Sequence, residues 1–349
     1  MKKLIYIITG NNGFFGQFRK PWITLKIDVF ADALRSSGYE VITCEFHQIA
    51  NGEIDIENSV VFYTFSQKKE IRAYIKDVVY ALKLKNNILL PSYELLKSHE
   101  DKGFQELYRK HLGIAPLKAY YISDANEIDN YDIEYPCVLK TIDGSNGTGV
   151  FLVHNKAELL KKIKLVTTKL GFFQKLDLLR RKHFRHKKTV KGWPEFDAVR
   201  DFHAYKEYVK PTRNLVIQQF IPDLEFDFRV LAVHDHFYVT KRHVKDGDFR
   251  ASGTKLFDFD TGDVQKILNY AKEIHQKVNL PYLSMDVAVS GDKYYLLEYQ
   301  ALHFGNNVIK LSDGYYQQEN TDWKFIKAKP DVNKVLADGL VRFLDTLID

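Results

Sequence analysis

The 349-residue chain is 45% apolar and 28% charged, an ordinary globular composition long enough for two or three domains and a large core. No apolar run approaches the roughly 20 residues of a membrane span, and the N-terminal apolar stretch is shorter than the roughly 7–15 residues of a secretion signal. The formal charge of +6 is uneven: between Lys156 and Arg213 stand 17 Lys/Arg and 6 Asp/Glu, leaving −5 for the remainder, so the basic character is local. The two cysteines, Cys44 and Cys137, make neither a metal pattern nor a disulfide framework. They are expected in the core, and a reducing cytoplasm is the expected compartment.

The first hundred residues alternate strand and helix. "LIYIITG" reads as a buried strand, and Leu25, Val29, Phe30 and Ala33 fall at helical spacing ahead of a stop at Gly38. "YEVITCEF" and "SVVFYTF" are further strands, "KEIRAYIKDVVYALKLKN" a helix and "NILLPS" a fourth strand. This order predicts a small parallel sheet with helices on both faces, over residues 1–98. Past Ser98 the spacing predicts a helix in "HEDKGFQELYRKHLGI", strands in "PLKAYYI" and "PCVLKTI", a strand from Val150, and a helix in "KAELLKKIKLV". A basic, aromatic stretch of weak periodicity follows, at about 165–213. Strands "LVIQQFI", "DFRVLAVHD" and "HFYVTKRHV", a helix to Asn279, strands "LSMDVAVSG" and "YYLLEYQ", and a C-terminal amphipathic helix complete the chain.

Two glycine loops compete as nucleotide sites. "TGNNGFFG" follows the first strand with dinucleotide-like spacing, but a phosphate there needs a helix N-terminus. Pro21 would disrupt such a helix, and neither Glu40 nor Glu45 is well placed for a ribose. A flexible loop and a substrate-binding loop are the other readings. "YPCVLKTIDGSNGTGV" instead puts Lys140 on a strand ahead of a small-residue loop whose amides can reach phosphate oxygens. Further on, Arg242 and Arg250 stand in "VTKRHVKDGDFRASG". Glu298 and Gln300 lie two apart on a strand and share a face, and Asp286 can join them from the neighbouring strand. Such oxygen ligands suit Mg²⁺.

In this order the motifs resemble the ATP-grasp superfamily, closest to its ribosomal-protein glutamate ligase branch, over residues 99–307. The resemblance implies an α/β fold, α+β in the grasp part. A small parallel-sheet pre-grasp domain (1–98) precedes a central and lid subdomain (99–214) with its basic insert, and a C-terminal subdomain (215–349) carries the metal strands. It places Lys102 of "EDKGF" and Lys140 on the phosphates, and makes Ser145, Asn146, Gly147, Thr148 and Gly149 the phosphate lid. Gln219, Phe220 and Ile221 become the adenine hinge, Asp227 goes to the ribose, and Arg229 lies nearby. Arg250 stands beside the phosphates, in "KDGDFRAS". Asp286 and Glu298 become metal ligands, with Gln300 standing where asparagine is usual. "ALHFGNN" departs from the family's usual ending, so the substrate side is unusual.

Function follows from the same resemblance. ATP with Mg²⁺ (or Mn²⁺) would activate a carboxylate as an acyl phosphate for attack by an amine, forming ADP. Arg242 or Arg250 would stabilise the developing charge. The substrates would be small molecules or a glycan precursor, with a sugar acid as one expected carboxylate. A phosphotransferase and a non-catalytic ATP-binding module are the alternatives. The basic insert suits either a solvated helical elaboration or an anionic partner: an acidic polysaccharide, a phospholipid surface or nucleic acid. A homodimer is expected from relatives, although no interface is marked.

Overall fold

The computed structural model describes residues 3–348, apart from 19, 21, 115, 116, 145, 146, 168, 184–190, 193 and 255. In chain order the elements are β1 (Leu4–Thr9), α1 (Ile27–Ser36), β2 (Glu40–Glu45), α2 (Phe46–Ala50), β3 (Val60–Tyr63), α3 (Lys69–Leu84) and β4 (Ile88–Leu90). Next come α4 (Tyr93–Ser98), α5 (Lys102–His111), β5 (Ala119–Ile122), β6 (Cys137–Thr141), β7 (Val150–Val153), α6 (Lys156–Val166), α7 (Phe172–His183) and α8 (Ala198–Tyr208). The last are β8 (Leu215–Gln219), β9 (Phe226–Val233), β10 (His236–His243), β11 (Phe257–Asp258), α9 (Gln265–Val278), β12 (Tyr282–Ser290), β13 (Lys293–Gln300), α10 (Asn307–Leu311), β14 (Gly314–Glu319), β15 (Asp322–Lys327) and α11 (Val332–Ile348).

The chain divides into two compact units, one made of residues 1–119, 142–148 and 221–349, the other of 120–141 and 149–220. Thus α5 and the first part of the second glycine loop group with the N-terminal sheet, while β8 groups with β6 and β7. These divisions fall elsewhere than cuts at 98/99 and 214/215.

The first unit holds two sheets. The parallel one has the order β2-β1-β3-β4, as the alternating pattern predicts. The other has seven strands, antiparallel in every pair, ordered β13-β12-β9-β10-β14-β15 with β11 on β10. One apolar core serves both. Phe15, Phe30 and Phe62 pack edge-on and stacked within 6 Å, and Phe62 meets Tyr282 of β12 at 6.0 Å. The Tyr39 hydroxyl donates to Asp345 of α11 at 2.9 Å. A buried arginine fixes α5: Arg109, 1% exposed, donates to the Leu296 carbonyl of β13 and to Glu106. The second unit is the sheet β5-β8-β6-β7 with α6 packed through Leu159 and Ile163 onto Cys137, Leu139, Val153 and Ile217.

The weak periodicity of the basic stretch gives way to two helices, α7 and α8. The sequence reading also did not foresee α4, α10 or the β14–β15 hairpin. That hairpin's "GYYQQENTDWKFIK" alternates poorly and turns at Asn320, whose φ is 55°.

Burial leaves a titration signature in the first unit. Desolvation pulls the His275 imidazole down to about 4, while its Nε2 lies 2.6 Å from the Leu280 carbonyl. Desolvation also pulls His236 down to about 4. Both are neutral when folded. The unfolded chain takes up their protons near pH 6.5, so stability present above about pH 6.5 is lost as pH falls towards 4. The melting temperature should therefore drop between pH 7 and pH 4.5. His275→Gln, which keeps a donor, should drop less; equal slopes would contradict this assignment.

Candidate active site

The charged residues of the large sheet converge because of register. Asp227 of β9 stands opposite Arg242 of β10, Arg229 opposite Asp286 of β12, and Asp286 opposite Glu298 of β13. Directly opposed residues share a face, as do residues two apart, so three aspartate and glutamate carboxylates and two guanidiniums project from one side. A register irregularity after Asp286, where Val287 pairs Leu296, keeps Glu298 on that side.

Two arginines bind the two aspartates. Arg242 donates to both oxygens of Asp227 at 2.7 and 2.6 Å, and its Nη2 lies 2.8 Å from Asp286 Oδ2. Arg229 donates to Asp286 Oδ1 and Oδ2 at 2.9 and 3.0 Å. Asp227, Arg242 and Asp286 are 3–5% exposed. Burial pushes the Asp286 carboxyl up, but Arg229 and Arg242 outweigh it and hold the group well below the usual carboxylate range. At Asp227 burial wins over Arg242 and lifts the group.

The four charges cancel, and among the described residues no cation pairs with Glu298, the remaining acid of this group. The Gln300 amide donates to Glu298 Oε1 at 3.0 Å. Asp227, expected at the ribose, is 3% exposed and clasped through both oxygens by Arg242. Arg229 and Arg242 likewise act first on the aspartates.

Among the described residues no three His, Cys, Asp or Glu gather into a metal cage. The donor chemistry nevertheless suits a hard cation completed by phosphate oxygens. A carboxylate offers about four lone-pair positions, and the arginines use three of those on Asp286, leaving one on Oδ1. Glu298 keeps Oε2. Gln300 can turn its amide oxygen towards a cation, since amide orientation is an assignment.

The second glycine loop is held by cations at its carbonyls. Lys102, the first residue of α5, donates from Nζ to the Gly144 carbonyl. A lysine there opposes the positive end of the helix dipole, a cost that the carbonyl contact offsets. Arg250 donates to the Gly147 carbonyl at 2.9 Å and clasps Asp248 at 2.8–2.9 Å, holding that carboxyl down at about 2. Gly147 has φ 76°, and a Cβ there would press on the Ser252 carbonyl at 3.2 Å. Thr148 follows it in the same turn. Ser145 and Asn146 lie outside the described residues.

In the second unit Gly149 has φ 74° and a Cβ would overlap Thr141. Lys140 on β6 alternates with Leu139, which faces that unit's core. Gln219 ends β8, exposed, and the chain leaves the unit after Phe220. Ile221 is buried in the first unit with Leu117 and Ala288.

The loop after β1 is a tight turn rather than a phosphate cradle. Asn11 and Asn12 are exposed, Asn12 has φ 58°, and the Gly13 amide donates to Glu45 Oε1 at 3.0 Å. Asn11–Gly13 form only a single 3-10 turn, broken by the left-handed Asn12, and α1 begins only at Ile27, so no α-helix N-terminus among the described residues meets these glycines. Glu45, judged poorly placed for a ribose, in fact closes this turn. Pro21 lies outside the described residues.

Sequence reasoning missed a buried polar layer beside the turn. The Gln17 side chain accepts from His303 N–H at 2.8 Å and its carbonyl from Gly305 N–H at 3.2 Å. The His303 ring lies 5.3 Å from His99 and 5.4 Å from Phe65. Asn306 is fully buried, and neither of its amide atoms has a hydrogen-bond partner among the described residues. The unusual "ALHFGNN" was the one available signal. Desolvation pushes both cysteine thiols up to about 11, so both are inert core residues.

No protein-family model matches the sequence, and no curated protein matches it significantly. Solved structures do match. A RimK domain ATP-grasp protein from Sphaerobacter thermophilus is 11% identical, with 97% of this chain and 98% of that chain covered and a TM-score of 0.51. The ATP-grasp ligase PsnB, complexed with a minimal precursor, is 14% identical over 97% and 98% at 0.50. The motif order, the two antiparallel sheets and these matches agree: the chain has the ATP-grasp fold.

Proposed function

We propose that the chain is an ATP-dependent, ADP-forming ligase that activates a carboxylate as an acyl phosphate and joins it to an amine. The observation that carries this reading is the pairing of Asp286 with Glu298 on a face whose other charges cancel. Lys102 and Arg250, in the same unit, hold the carbonyls of the glycine loop and support the reading. The fold is compatible with it.

Asp286, Glu298 and Gln300 would hold Mg²⁺ or Mn²⁺. When bound, such a cation neutralises charge on the β- and γ-phosphates. Lys102 and Lys140 add fixed positive charge at the phosphates. By the family resemblance, the loop amides at Gly147 and Thr148 would approach the phosphate oxygens, and Gln219, Phe220 and Ile221 would line the adenine. Arg250 stabilises charge developing on the transferred group. Arg229, Arg242 and Asp227 are positioning residues that aim Asp286.

A substrate carboxylate oxygen attacks the γ-phosphorus, and the bond to the β–γ bridging oxygen breaks, releasing ADP. The amine nitrogen then attacks the acyl carbon, the C–O bond to phosphate breaks, and the amine proton passes to solvent. By the family resemblance, Asn11, Asn12 and the turn at Gly13 would face the acceptor or the carboxylate substrate. No site residue singles out a sugar acid. Substrate pools should therefore include amino acids, sugar acids and peptides, the last because PsnB is complexed with a precursor.

Incubation with ATP, Mg²⁺ and these pools should release ADP and phosphate only when a carboxylate and an amine are both present. ADP with a phosphorylated product would instead establish a phosphotransferase, and ATP binding without turnover a regulatory module.

Two substitutions separate metal binding from folding. Glu298→Gln leaves the arginine network intact, so it should melt like the parent and lose turnover by roughly 100-fold or more, the loss typical of removing one transition-state electrostatic contact. Asp286→Asn strands buried guanidinium charge and should cost on the order of 3–5 kcal/mol of stability as well. Parental turnover in Glu298→Gln would remove that residue from the site.

A further inference from the structure

The segment that the proposed chemistry does not use is the helical pair α7–α8. We propose that α7 is a docking helix for an anionic lipid surface.

At about 3.6 residues per turn, Phe172, Leu176 and Leu179 of α7 fall on one stripe, with Phe173 at its edge. They are 70%, 44%, 55% and 84% exposed. Lys175 and Lys182 flank the stripe on one side and Arg180 on the other. The opposite side of the helix meets α8. There Tyr205 donates its hydroxyl to Asp177 at 2.6 Å, and the Arg181 guanidinium lies over the Tyr205 ring at 3.7 Å. Arg181 Nε also donates to Asp177 at 2.8 Å.

An ordinary surface helix turns its apolar stripe inward and its ions to water. This one does the reverse. No side chain of α7 or α8 among the described residues is buried, so α7 contributes little to the core beneath it. Two phenylalanines and two leucines held in water carry a standing hydration penalty that only an apolar partner relieves.

Charge decides which partner. Asp177 is the only acid on α7, and Arg180, Arg181 and Tyr205 already engage it. On α8, Arg200 pairs with Asp201. Lys175 and Lys182 therefore face outward without acidic neighbours on their own helix, and Arg180 borders the stripe from its ion pair with Asp177. An anionic bilayer offers phosphate to Lys175, Arg180 and Lys182, and hydrocarbon to the phenylalanines and leucines. Nucleic acid or an acidic polysaccharide would use the cations but has no use for Leu176 and Leu179. No helix among the described residues is long and apolar enough to cross a membrane, so the contact is peripheral. This inference does not rest on the proposed ligase activity.

The test is co-sedimentation of the full chain with mixed phosphatidylglycerol/phosphatidylcholine vesicles, beside pure phosphatidylcholine vesicles and single-stranded oligonucleotides. The chain should pellet with the mixed vesicles only, less so at high salt. The variant Phe172→Ser/Phe173→Ser/Leu176→Ser/Leu179→Ser should bind them roughly 100-fold more weakly, with unchanged circular dichroism and ATP turnover. Lys175→Glu/Arg180→Glu/Lys182→Glu should lose binding too. The proposal is overturned if mixed vesicles do not pellet the chain, if the serine variant pellets as well as the parent, or if oligonucleotides bind more tightly than vesicles.

Discussion

Two arginines shared between two buried aspartates set the constraint on which the candidate site depends. Arg229 and Arg242 hold Asp227 and Asp286 across β9, β10 and β12. Buried ions are costly unless every partner is present, so this network is stable only complete. Completeness demands one register. A slip by one residue on any of the three strands would send its charge to the other face, into the core formed by Phe228, Val230, Met285 and Val287. The network thus aligns the sheet and at the same time cancels the charge of both aspartates. Glu298 remains as the acid with charge to offer, and Asp286 beside it keeps one lone pair.

The glycine loop is governed by a second, lighter constraint. Lys102 and Arg250 grip main-chain carbonyls of the loop, Arg250 while also clasping Asp248, and the carbonyl contacts exchange readily for a phosphate oxygen. The helix that presents Lys102 is itself anchored through Arg109 to β13, and Tyr299 reaches the Gln105 carbonyl at 3.4 Å. The strand that bears Glu298 and the helix that bears Lys102 are therefore tied together by side chains that touch neither site. Changes at Arg109 would be felt at both.

Much of this was legible in the sequence, and the limits have physical causes. The parallel sheet announced itself through apolar runs separated by helical spacing. Glu298 and Gln300 shared a face by strand alternation alone, and Asp286 could be assigned to the adjoining strand. What the sequence could not display was pairing between residues far apart: Asp227 read as a ribose contact because nothing local says that Arg242 stands opposite it. At Asn11–Gly13 Pro21 already spoke against a phosphate loop, but nothing local says that the Gly13 amide donates to Glu45, 32 positions on. Helix α7 was obscured for another reason. Its apolar stripe faces water, so the usual contrast between a buried face and a solvated one had no packing to match. The layer of Gln17, His303 and Asn306 escaped because its members come from opposite ends of the chain.

The central claim is that nucleotide engages the face of Asp286 and Glu298 and the loop gripped by Lys102. Calorimetric titration of a non-hydrolysable ATP analogue, with and without Mg²⁺, tests it most directly. Binding should tighten with Mg²⁺ in the parent, lose that increment in Glu298→Gln, and weaken in Lys102→Met while Asn12→Trp leaves it unchanged. Binding that ignores Mg²⁺, Glu298 and Lys102 but collapses on substitution of Asn12 would place the nucleotide at the first glycine loop and contradict the account.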